Sequence, residues 1–277
     1  MTGHIEEYER LLAEIRPLGS VVVAFSGGVD STLLLDACLH SLGPTRVLAA
    51  TLATPYVPQR EIRDAKRLAI AFGVRHEVVY VPFPGELRTN PLERCYVCKR
   101  DLLGRLQALG VDQGFTHIVE GSNTDDLGDH RPGMKAVSEL GVRSPLLLAG
   151  LDKAAVRELS RLRGLDTWNK PAQACLLTRF PHGTDITISR LRRLEDAEAL
   201  LHDLGFFDVR VREHGDLARI EVPAGSVRDL VRVGLEHDVE AGLRELGYAH
   251  VTVDLAGYRR GSLNAAGAHS HKTEMEE

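Results

Sequence analysis

A glycine-rich hexapeptide, SGGVDS at residues 26–31, carries the clearest chemical signal in the sequence. Gly27 and Gly28 let the backbone turn sharply and approach a ligand with no Cβ in the way. The hydroxyls of Ser26 and Ser31, with the backbone N–H groups at the start of a helix, predict an anion site. Asp30 would repel a bare phosphate, so we expect it to hold Mg²⁺ or to fix the loop by hydrogen bonds. The alternative is a glycine-rich turn that only caps the helix.

A second polar segment, EGSNTDD at residues 120–126, follows another apolar run. Gly121 permits a close approach of the backbone, and the oxygens of Asn123, Asp125 and Asp126 suit Mg²⁺ or a ribose hydroxyl. An Asx-rich turn that caps a helix would use the same residues. Thr51, at the end of a third apolar run, is a candidate for contact with adenine or ribose, because sheets of this kind bind ligands at the carboxyl ends of their strands.

Three cysteines could also do chemistry: Cys95, Cys98 and Cys175. The first two form a C-x-x-C pair at the predicted start of a helix, where the helix dipole and two following cations favour thiolates. Three thiolates with an open position suit a [4Fe–4S] cluster. Zinc with an added His or Asp, a redox disulfide and plain thiols are alternatives that the spacing leaves open. Cys38 lies in an apolar helical pattern and is predicted to be a core residue.

Composition narrows the class of protein. The chain has 277 residues, a net charge of −5 and 43% hydrophobic residues, as expected for a globular protein of two domains. The negative charge argues against a protein that coats nucleic acid. No apolar run approaches the ~18–20 residues that cross a bilayer, and the acidic N-terminus is unlike a signal peptide. We expect a cytoplasmic protein with no membrane partner, whose closely spaced cysteines do not form a disulfide framework.

The predicted strands and helices that must position these residues alternate regularly along the first half of the chain. Apolar runs at residues 21–25, 47–51, 77–81 and 117–120 alternate with helical patterns at residues 31–42, 59–72 and 99–109. This alternation predicts an α/β fold with a doubly wound, mainly parallel sheet over residues 1–165. The hexapeptide then lies between the first strand and the next helix.

The order of predicted strands and helices changes in the second half of the chain. A helix at residues 189–204, two short alternating strands at 209–212 and 218–222, and a last strand at 250–254 predict a smaller C-terminal α+β domain over residues 166–264. The tail, residues 265–277, is rich in His, Ala and Glu and is predicted to be disordered.

Seven segments occur in an order that resembles one family. They are SGGVDS (from Ser26), NPLERCYVCKRDL (from Asn90), EGSNTDDLGDHRPGMKA (from Glu120), ELGVRSPL (from Glu139), WNKPAQACLLTRFPHGTDIT (from Trp168), VRVREHGDLARIEVP (from Val209) and VTVDLAGYRRGSLN (from Val251). Together they resemble the LarE-type pyridinium-3,5-bisthiocarboxylic acid mononucleotide synthases of the PP-loop ATP pyrophosphatase superfamily, over about residues 20–264. The hexapeptide resembles the PP-loop of these enzymes. It lacks the G-K-[ST] end of a Walker loop, which argues against transfer of the γ-phosphate.

The resemblance implies an ATP-dependent sulfur transferase. ATP would adenylate a carboxylate of pyridinium-3,5-biscarboxylic acid mononucleotide and release pyrophosphate, and a sulfur nucleophile would then expel AMP. The cycle would repeat on the second carboxylate, as a step in nickel-pincer nucleotide cofactor biosynthesis. The implied cofactors are ATP and Mg²⁺, and the implied partners are the mononucleotide substrate and a sulfide or other sulfur donor. Relatives lead us to expect a homo-oligomer that needs no nucleic acid.

The resemblance also implies roles for individual residues. Cys175 matches the family's sulfur cysteine, which members with that cysteine alone sacrifice, leaving dehydroalanine. Cys95 and Cys98 depart from that pattern and resemble the subgroup in which three cysteines hold a [4Fe–4S] cluster that carries sulfide. Two arginines and a glutamate match the region that binds the substrate phosphate, a role that suits the planar fork of arginine. These residues are Arg179, Arg212 and Glu221.

Two rival interpretations stay open. A PP-loop tRNA thiolase can also combine this loop with three cluster cysteines, but the sequence shows no added RNA-binding domain. A non-catalytic zinc or nucleotide-binding module would bind zinc and release no pyrophosphate from ATP.

Overall fold

The computed structural model of the protein describes residues 2–127 and 132–259. The helices in these ranges are α1 (Thr2–Ile15), α2 (Val29–Leu42), α3 (Gln59–Ala71), α4 (Arg94–Asp112), α5 (Pro132–Glu139), α6 (Pro145–Leu148), α7 (Lys153–Leu162), α8 (Ile188–Asp203), α9 (Val227–Glu236) and α10 (Val239–Glu245). The strands are β1 (Val21–Ala24), β2 (Val47–Ala53), β3 (Arg75–Tyr80), β4 (His117–Val119), β5 (Arg210–His214), β6 (Leu217–Glu221) and β7 (His250–Val253).

The first four strands form a parallel sheet in the order β3-β2-β1-β4. Val21 on β1 is in register with Val47 on β2 and with His117 on β4. The chain leaves β1 toward β2 on one side and later returns to β4 on the other, so the strand order reverses between β1 and β4. Such a switch point opens a crevice at the carboxyl ends of the two strands, and ligands bind there in sheets of this kind.

Both faces of this sheet are covered by helices, which explains the continuous apolar runs of β1 and β2, whereas the edge strand β3 is half-buried. Val21 and Val23 belong to a core cluster with residues of α1, α2 and α7. Val22 points to the other face and joins residues of α4 and α5. The predicted doubly wound α/β fold is therefore confirmed, although the sequence pattern did not predict α5 or the short α6.

The second sheet is small and mixed. β5 pairs with β6 in antiparallel orientation, and β6 pairs with β7 in parallel orientation. The turn between β5 and β6 contains Gly215 at a φ of 74°, a left-handed conformation that favours glycine. Helices α8, α9 and α10 accompany this sheet, as predicted for a C-terminal α+β domain.

The described residues divide into two compact units. The first contains the residues up to Pro84 together with Glu93–Gln173, and the second contains Gly85–Leu92 together with the residues from Ala174 onward. The predicted boundary after residue 165 lies inside the first unit. Residues 166–173 belong to the first unit because Arg157 of α7 donates to the carbonyls of Trp168 and Lys170, at 2.7 and 2.9 Å. The predicted tail, residues 265–277, lies outside the described residues.

No helix within the described residues has both the length and the apolar character needed to cross a membrane.

Candidate functional site

The PP-loop (residues 26–31) follows β1 and is shaped by one glycine. Gly27 has a φ of 69°, and a Cβ added there would lie 3.1 Å from Cα of Ala65 on α3. A side chain is therefore disfavoured both by the backbone conformation and by the contact with α3. Gly28 is the N-cap of α2 and has an extended backbone, so the loop's N–H groups lead into the positive end of that helix.

The two serines hold the PP-loop from inside. The Ser31 hydroxyl donates to the carbonyl of Gly28 at 3.2 Å and lies 3.1 Å from the Ser26 hydroxyl. The backbone N–H of Ser26 donates to the Ser31 hydroxyl at 3.3 Å. Ser31 is buried, and its hydroxyl fixes the loop. The Gly28 N–H also donates within the loop, to the Ser26 hydroxyl at 3.3 Å, so an anion would meet the N–H groups in the first turn of α2.

Asp30 is the point at which three segments of the chain meet. Its Oδ1 accepts a hydrogen bond from the Asn123 amide at 3.0 Å, and its Oδ2 accepts one from the Lys153 ammonium. Asn123 follows β4, and Lys153 is the first residue of α7. The structure therefore brings the PP-loop and the segment after β4 together at the switch point of the sheet.

The segment after β4 organises itself around Asn123. Its backbone N–H donates to Asp126 at 3.0 Å, and its side-chain oxygen accepts from the N–H of Asp125 at 3.1 Å. Asp125 in turn accepts from the backbone N–H of Lys153 at 3.3 Å. A Cβ added at Gly121 would lie 3.1 Å from Cβ of Asp30, so the close approach that this glycine permits is that of the PP-loop.

The buried carboxylate of Glu120 holds the start of the segment after β4 by hydrogen bonds. Glu120 accepts hydrogen bonds from the Lys99 ammonium and the Ser122 hydroxyl, each at 2.9 Å, and from the Ser144 hydroxyl. Burial alone would raise the pKa of Glu120, but the Lys99 charge and these hydrogen bonds together lower it below its usual value. Glu120 is therefore an ionised anchor at the end of β4.

Thr51 lies near the loop but uses its side chain internally. Its hydroxyl donates to the carbonyl of Phe25 at 2.7 Å and shares a hydrogen bond of 2.8 Å with His76. The side chain is buried and joins the ends of β1 and β2. Contact of Thr51 with adenine or ribose stays a prediction.

Two lysines at this site were missed by sequence reasoning. Lys153 contacts Asp30, and Lys170 donates to the carbonyl of Gly27 at 3.3 Å and to Glu61 at 2.8 Å. Both cations therefore lie directly against the PP-loop. In the sequence, only the helix-capping residue Asp152 marks the position of Lys153 at the start of α7. The Asp152 side chain accepts from the N–H of Ala155 at 2.7 Å.

None of the four cysteines, all of which lie within the described residues, forms a disulfide in this structure. Cys38 is fully buried, and burial strongly raises the pKa of its thiol, which fits the predicted core role. Cys95 is exposed and Cys98 half-buried, three residues apart in the first turn of α4 and so on one side of that helix. The Tyr56 hydroxyl lies 3.2 Å from the Cys98 sulfur.

Cys175 belongs to the second compact unit, where it is the N-cap of a short 3₁₀ helix, Leu176–Arg179. Within residues 2–127 and 132–259, no three His, Cys, Asp or Glu side chains are grouped closely enough to hold a metal ion. Cys95 and Cys98, three residues apart on α4, could supply two ligand positions of a cluster.

The residues predicted to bind the substrate phosphate are buried in ion pairs. Arg179 donates to both oxygens of Glu198, at 2.8 and 3.1 Å. Arg212 donates to Glu221 at 2.9 Å. Burial, reinforced by the nearby Arg179 charge, lowers the pKa of Arg210, which sequence reasoning did not assign. The second unit therefore contains a dense arginine cluster in which carboxylates already neutralise two of the predicted residues.

Comparisons with known proteins agree with this architecture. The NAD synthase family model matches residues 8–85, which include the PP-loop. The chain is 36% identical to the pyridinium-3,5-bisthiocarboxylic acid mononucleotide synthase of Lactiplantibacillus plantarum, over 92% of each chain. This chain belongs to the LarE-type synthase family. It is an ATP-dependent sulfur transferase that forms AMP and pyrophosphate, so the interpretation as a non-catalytic module is wrong.

Two further relatives differ in how much of this chain they match. The chain is 40% identical to the uncharacterized protein slr1717 of Synechocystis, over 89% of this chain and 92% of that protein. It is 32% identical to an NH(3)-dependent NAD(+) synthetase of Methanoregula boonei, over only 38% of this chain. NAD synthetases therefore share part of the chain, whereas the LarE-type synthase matches nearly all of it.

Proposed function

We propose that this LarE-type enzyme adenylates the carboxylates of pyridinium-3,5-biscarboxylic acid mononucleotide and converts them to thiocarboxylates, in the biosynthesis of the nickel-pincer nucleotide cofactor. The observation that carries the proposal is the convergence of Asp30, Asn123 and Lys153 beside the PP-loop amides. The product is the compound in the name of the L. plantarum relative, which aligns over 92% of this chain, and the biscarboxylate is the substrate from which sulfur transfer would form it.

The site near the PP-loop suits the first half-reaction. A carboxylate oxygen of the substrate attacks the α-phosphorus of ATP, and the bond to the β-phosphate oxygen breaks, which releases pyrophosphate. Mg²⁺ held by Asp30, with Asp125 and Asp126 nearby, would neutralise the charge of the leaving group. Asp30 would hold Mg²⁺ in place of its contact with Lys153, and the Lys153 ammonium could then pair with a phosphate oxygen.

The second half-reaction replaces AMP by sulfur. A sulfur nucleophile attacks the carbonyl carbon of the acyl-adenylate, and AMP leaves with the electrons of the carbon–oxygen bond. The adenylate is needed because a carboxylate is a poor electrophile, while AMP is a good leaving group. We assign sulfur delivery to Cys175, and the two cycles together consume two molecules of ATP for each substrate.

We propose further that a [4Fe–4S] cluster is held by three cysteines. They are Cys95, Cys98 and Cys175. The pair on α4, with Cys95 exposed and Cys98 half-buried, supports two of the ligand positions, and Cys175 would supply the third. Such a cluster, when bound, offers an open iron site for an exogenous sulfide. Without it, Cys175 itself would be the sulfur source and would be consumed.

The remaining assignments concern the substrate phosphate and the partners. We assign phosphate binding to the second compact unit, where Arg179 and Arg212 lie beside Arg210 and where Glu221 orients Arg212. We also propose a cytoplasmic homo-oligomer that uses sulfide or another small sulfur donor and that binds neither membranes nor nucleic acid.

Release of pyrophosphate tests the ATP site. Asp30→Ala removes the carboxylate that faces Asn123 and Lys153, so we expect pyrophosphate release to fall to background while the thermal unfolding transition persists. Asp112→Asn, an exposed change at the far end of α4, is the matched control and should leave the rate unchanged. Wild-type release in the Asp30 variant would refute the assignment. Tight, salt-sensitive binding of tRNA would favour a tRNA thiolase instead.

A further inference from the structure

Asn90 is a buried polar residue that none of the roles above uses. Its side chain is fully buried, and its φ of 46° lies in the left-handed region. Asparagine tolerates this conformation better than most residues, but it is still uncommon outside glycine. A residue in such a conformation persists where its surroundings determine it. Its contacts therefore indicate what it holds.

The Asn90 side chain holds the turn that carries Cys175, here called the Cys175 turn (residues 175–183). Its Nδ2, which carries two hydrogens, lies within hydrogen-bonding distance of three carbonyl oxygens of this turn. They belong to Leu177 at 3.3 Å, Phe180 at 3.1 Å and Pro181 at 2.9 Å. The Asn90 backbone carbonyl accepts from the N–H of Gly183 at 3.3 Å. One residue from a distant part of the sequence thus fixes the backbone that follows Cys175.

The start of the Cys175 turn is fixed separately. The carbonyl of Cys175 accepts from the backbone N–H of Thr178 at 3.1 Å and from its hydroxyl at 2.8 Å. Arg179, itself held by Glu198, donates to the same carbonyl at 3.4 Å. The Cys175 thiol therefore extends from a turn that is restrained at its start by local contacts and at its end by Asn90.

We infer that Asn90 is a positioning residue for Cys175, whose amide fixes the direction of the thiol for sulfur transfer. The inference rests on the proposed function, because it assigns sulfur delivery to Cys175. Asn90 and Cys175 belong to the second compact unit, whereas Asp30 and Lys153 belong to the first. Loss of the amide should therefore uncouple the half-reactions. Pyrophosphate is still released, but water attacks the acyl-adenylate and returns the carboxylate and AMP.

Two variants separate the amide from the backbone conformation. Asn90→Gly accepts the positive φ but has no amide, and Asn90→Asp keeps the shape but replaces the donor with a charged acceptor. Arg88→Ala is the matched control, because it removes only an exposed ion pair with Asp185 between the same two segments. The measurement is thiocarboxylate formed per pyrophosphate released, with ATP, Mg²⁺, sulfide and the biscarboxylate mononucleotide.

The expected result is a fall in this ratio of about 10²-fold in both Asn90 variants, the cost of a small misplacement of a reacting group. Pyrophosphate release should stay within about twofold of the wild type, and Arg88→Ala should keep the wild-type ratio. An unchanged ratio in Asn90→Gly would overturn the inference. So would an equal loss of both products, since it would indicate a role in folding alone.

Hydrogen exchange provides a second readout. In Asn90→Gly the amides of residues 176–183 should exchange faster, while those of α4 in the first unit keep their protection. Unchanged exchange in the Cys175 turn would show that Asn90 does not restrain it. If the wild-type enzyme releases no pyrophosphate with this substrate, the proposed function fails, and hydrogen exchange still decides whether Asn90 holds the turn.

Discussion

Replacement of Lys153 with methionine tests whether the cation beside Asp30 serves ATP. Its ammonium and the Asp30 carboxylate are each about one-quarter exposed, at 28% and 25%, so a phosphate bound there would be only partly screened. Two unit charges 4 Å apart interact by about 4 kcal/mol at an effective dielectric constant of 20. Loss of one preorganised contact to a transition-state charge costs about 2.7–4 kcal/mol in comparable enzymes. We therefore predict a fall of at least about 10²-fold in kcat/KM for pyrophosphate release.

The fold should tolerate this change. Asp30 keeps its hydrogen bond from Asn123, and a partly exposed ion pair contributes only about 0–1 kcal/mol to stability. Lys153→Arg keeps the charge and should lose less activity than the methionine variant. Arg161→Met removes another cation of α7, one in an exposed pair with Glu158, and should be neutral.

The assay follows pyrophosphate with saturating biscarboxylate mononucleotide while ATP and Mg²⁺ are varied. Because Lys153 and Mg²⁺ both neutralise Asp30, the methionine variant should also show an altered dependence on Mg²⁺. Wild-type kcat/KM in Lys153→Met, with Arg161→Met also unchanged, would refute the role given to this cation.

Three further outcomes are expected. The proposed cluster ligands are Cys95, Cys98 and Cys175. Anaerobically purified wild-type protein should contain about four irons per chain, and alanine at any of these cysteines should remove them, whereas Cys38→Ala should retain them. An unchanged iron content in the ligand variants would exclude the cluster. Gly27→Ala should lower the free energy of unfolding by about 1–3 kcal/mol and weaken ATP binding, whereas Gly28→Ala, at a φ of −81°, should cost less in denaturant titrations. Because the folded-state pKa of Glu120 is lowered, its stabilisation is present above pH ~4.3 and is lost as the pH falls through the folded value, so Glu120→Gln should flatten the acid limb of stability; an unchanged acid limb would contradict this.

The first sheet was predictable because its central strands β1 and β2 are buried on both faces, although the edge strand β3 is only half-buried. Val21, Val22 and Val23 form an uninterrupted apolar run, and a glycine-rich turn and a helix follow it directly. The PP-loop and the segment after β4 lie at the same edge of the sheet, because each follows the carboxyl end of one of two adjacent parallel strands. The strand order therefore indicates that these two segments lie at one edge of the sheet, but it does not predict the contact between Asp30 and Asn123.

The lysines at the site could not be predicted in the same way. Lys153 opens an amphipathic helix and Lys170 lies in an irregular segment, so each resembles an ordinary surface cation in the sequence. Their contacts with Asp30 and with the carbonyl of Gly27 span 123 and 143 residues, and no periodicity reports contacts over such distances.

Long-range contacts also explain why residues 85–92 belong to the second unit. Their neighbours in sequence belong to the first unit, but Asn90 bonds to carbonyls of residues 177, 180 and 181, and Arg88 accepts through its carbonyl from Ile186 at 2.7 Å. The pairing of Arg179 with Glu198 likewise arises only in the folded chain. A sequence motif identified the arginines, but it did not show that carboxylates already neutralise them.

Mass spectrometry of the reaction products tests the central claim most directly. Under anaerobic conditions with ATP, Mg²⁺, sulfide and pyridinium-3,5-biscarboxylic acid mononucleotide, the nucleotide should gain one sulfur in place of one oxygen at each carboxylate, with AMP and pyrophosphate formed in equal amounts. The mass of the Cys175 peptide afterwards should be unchanged if sulfide was the source. An unaltered nucleotide, or pyrophosphate release with no sulfur gained, would contradict sulfur transfer to this substrate.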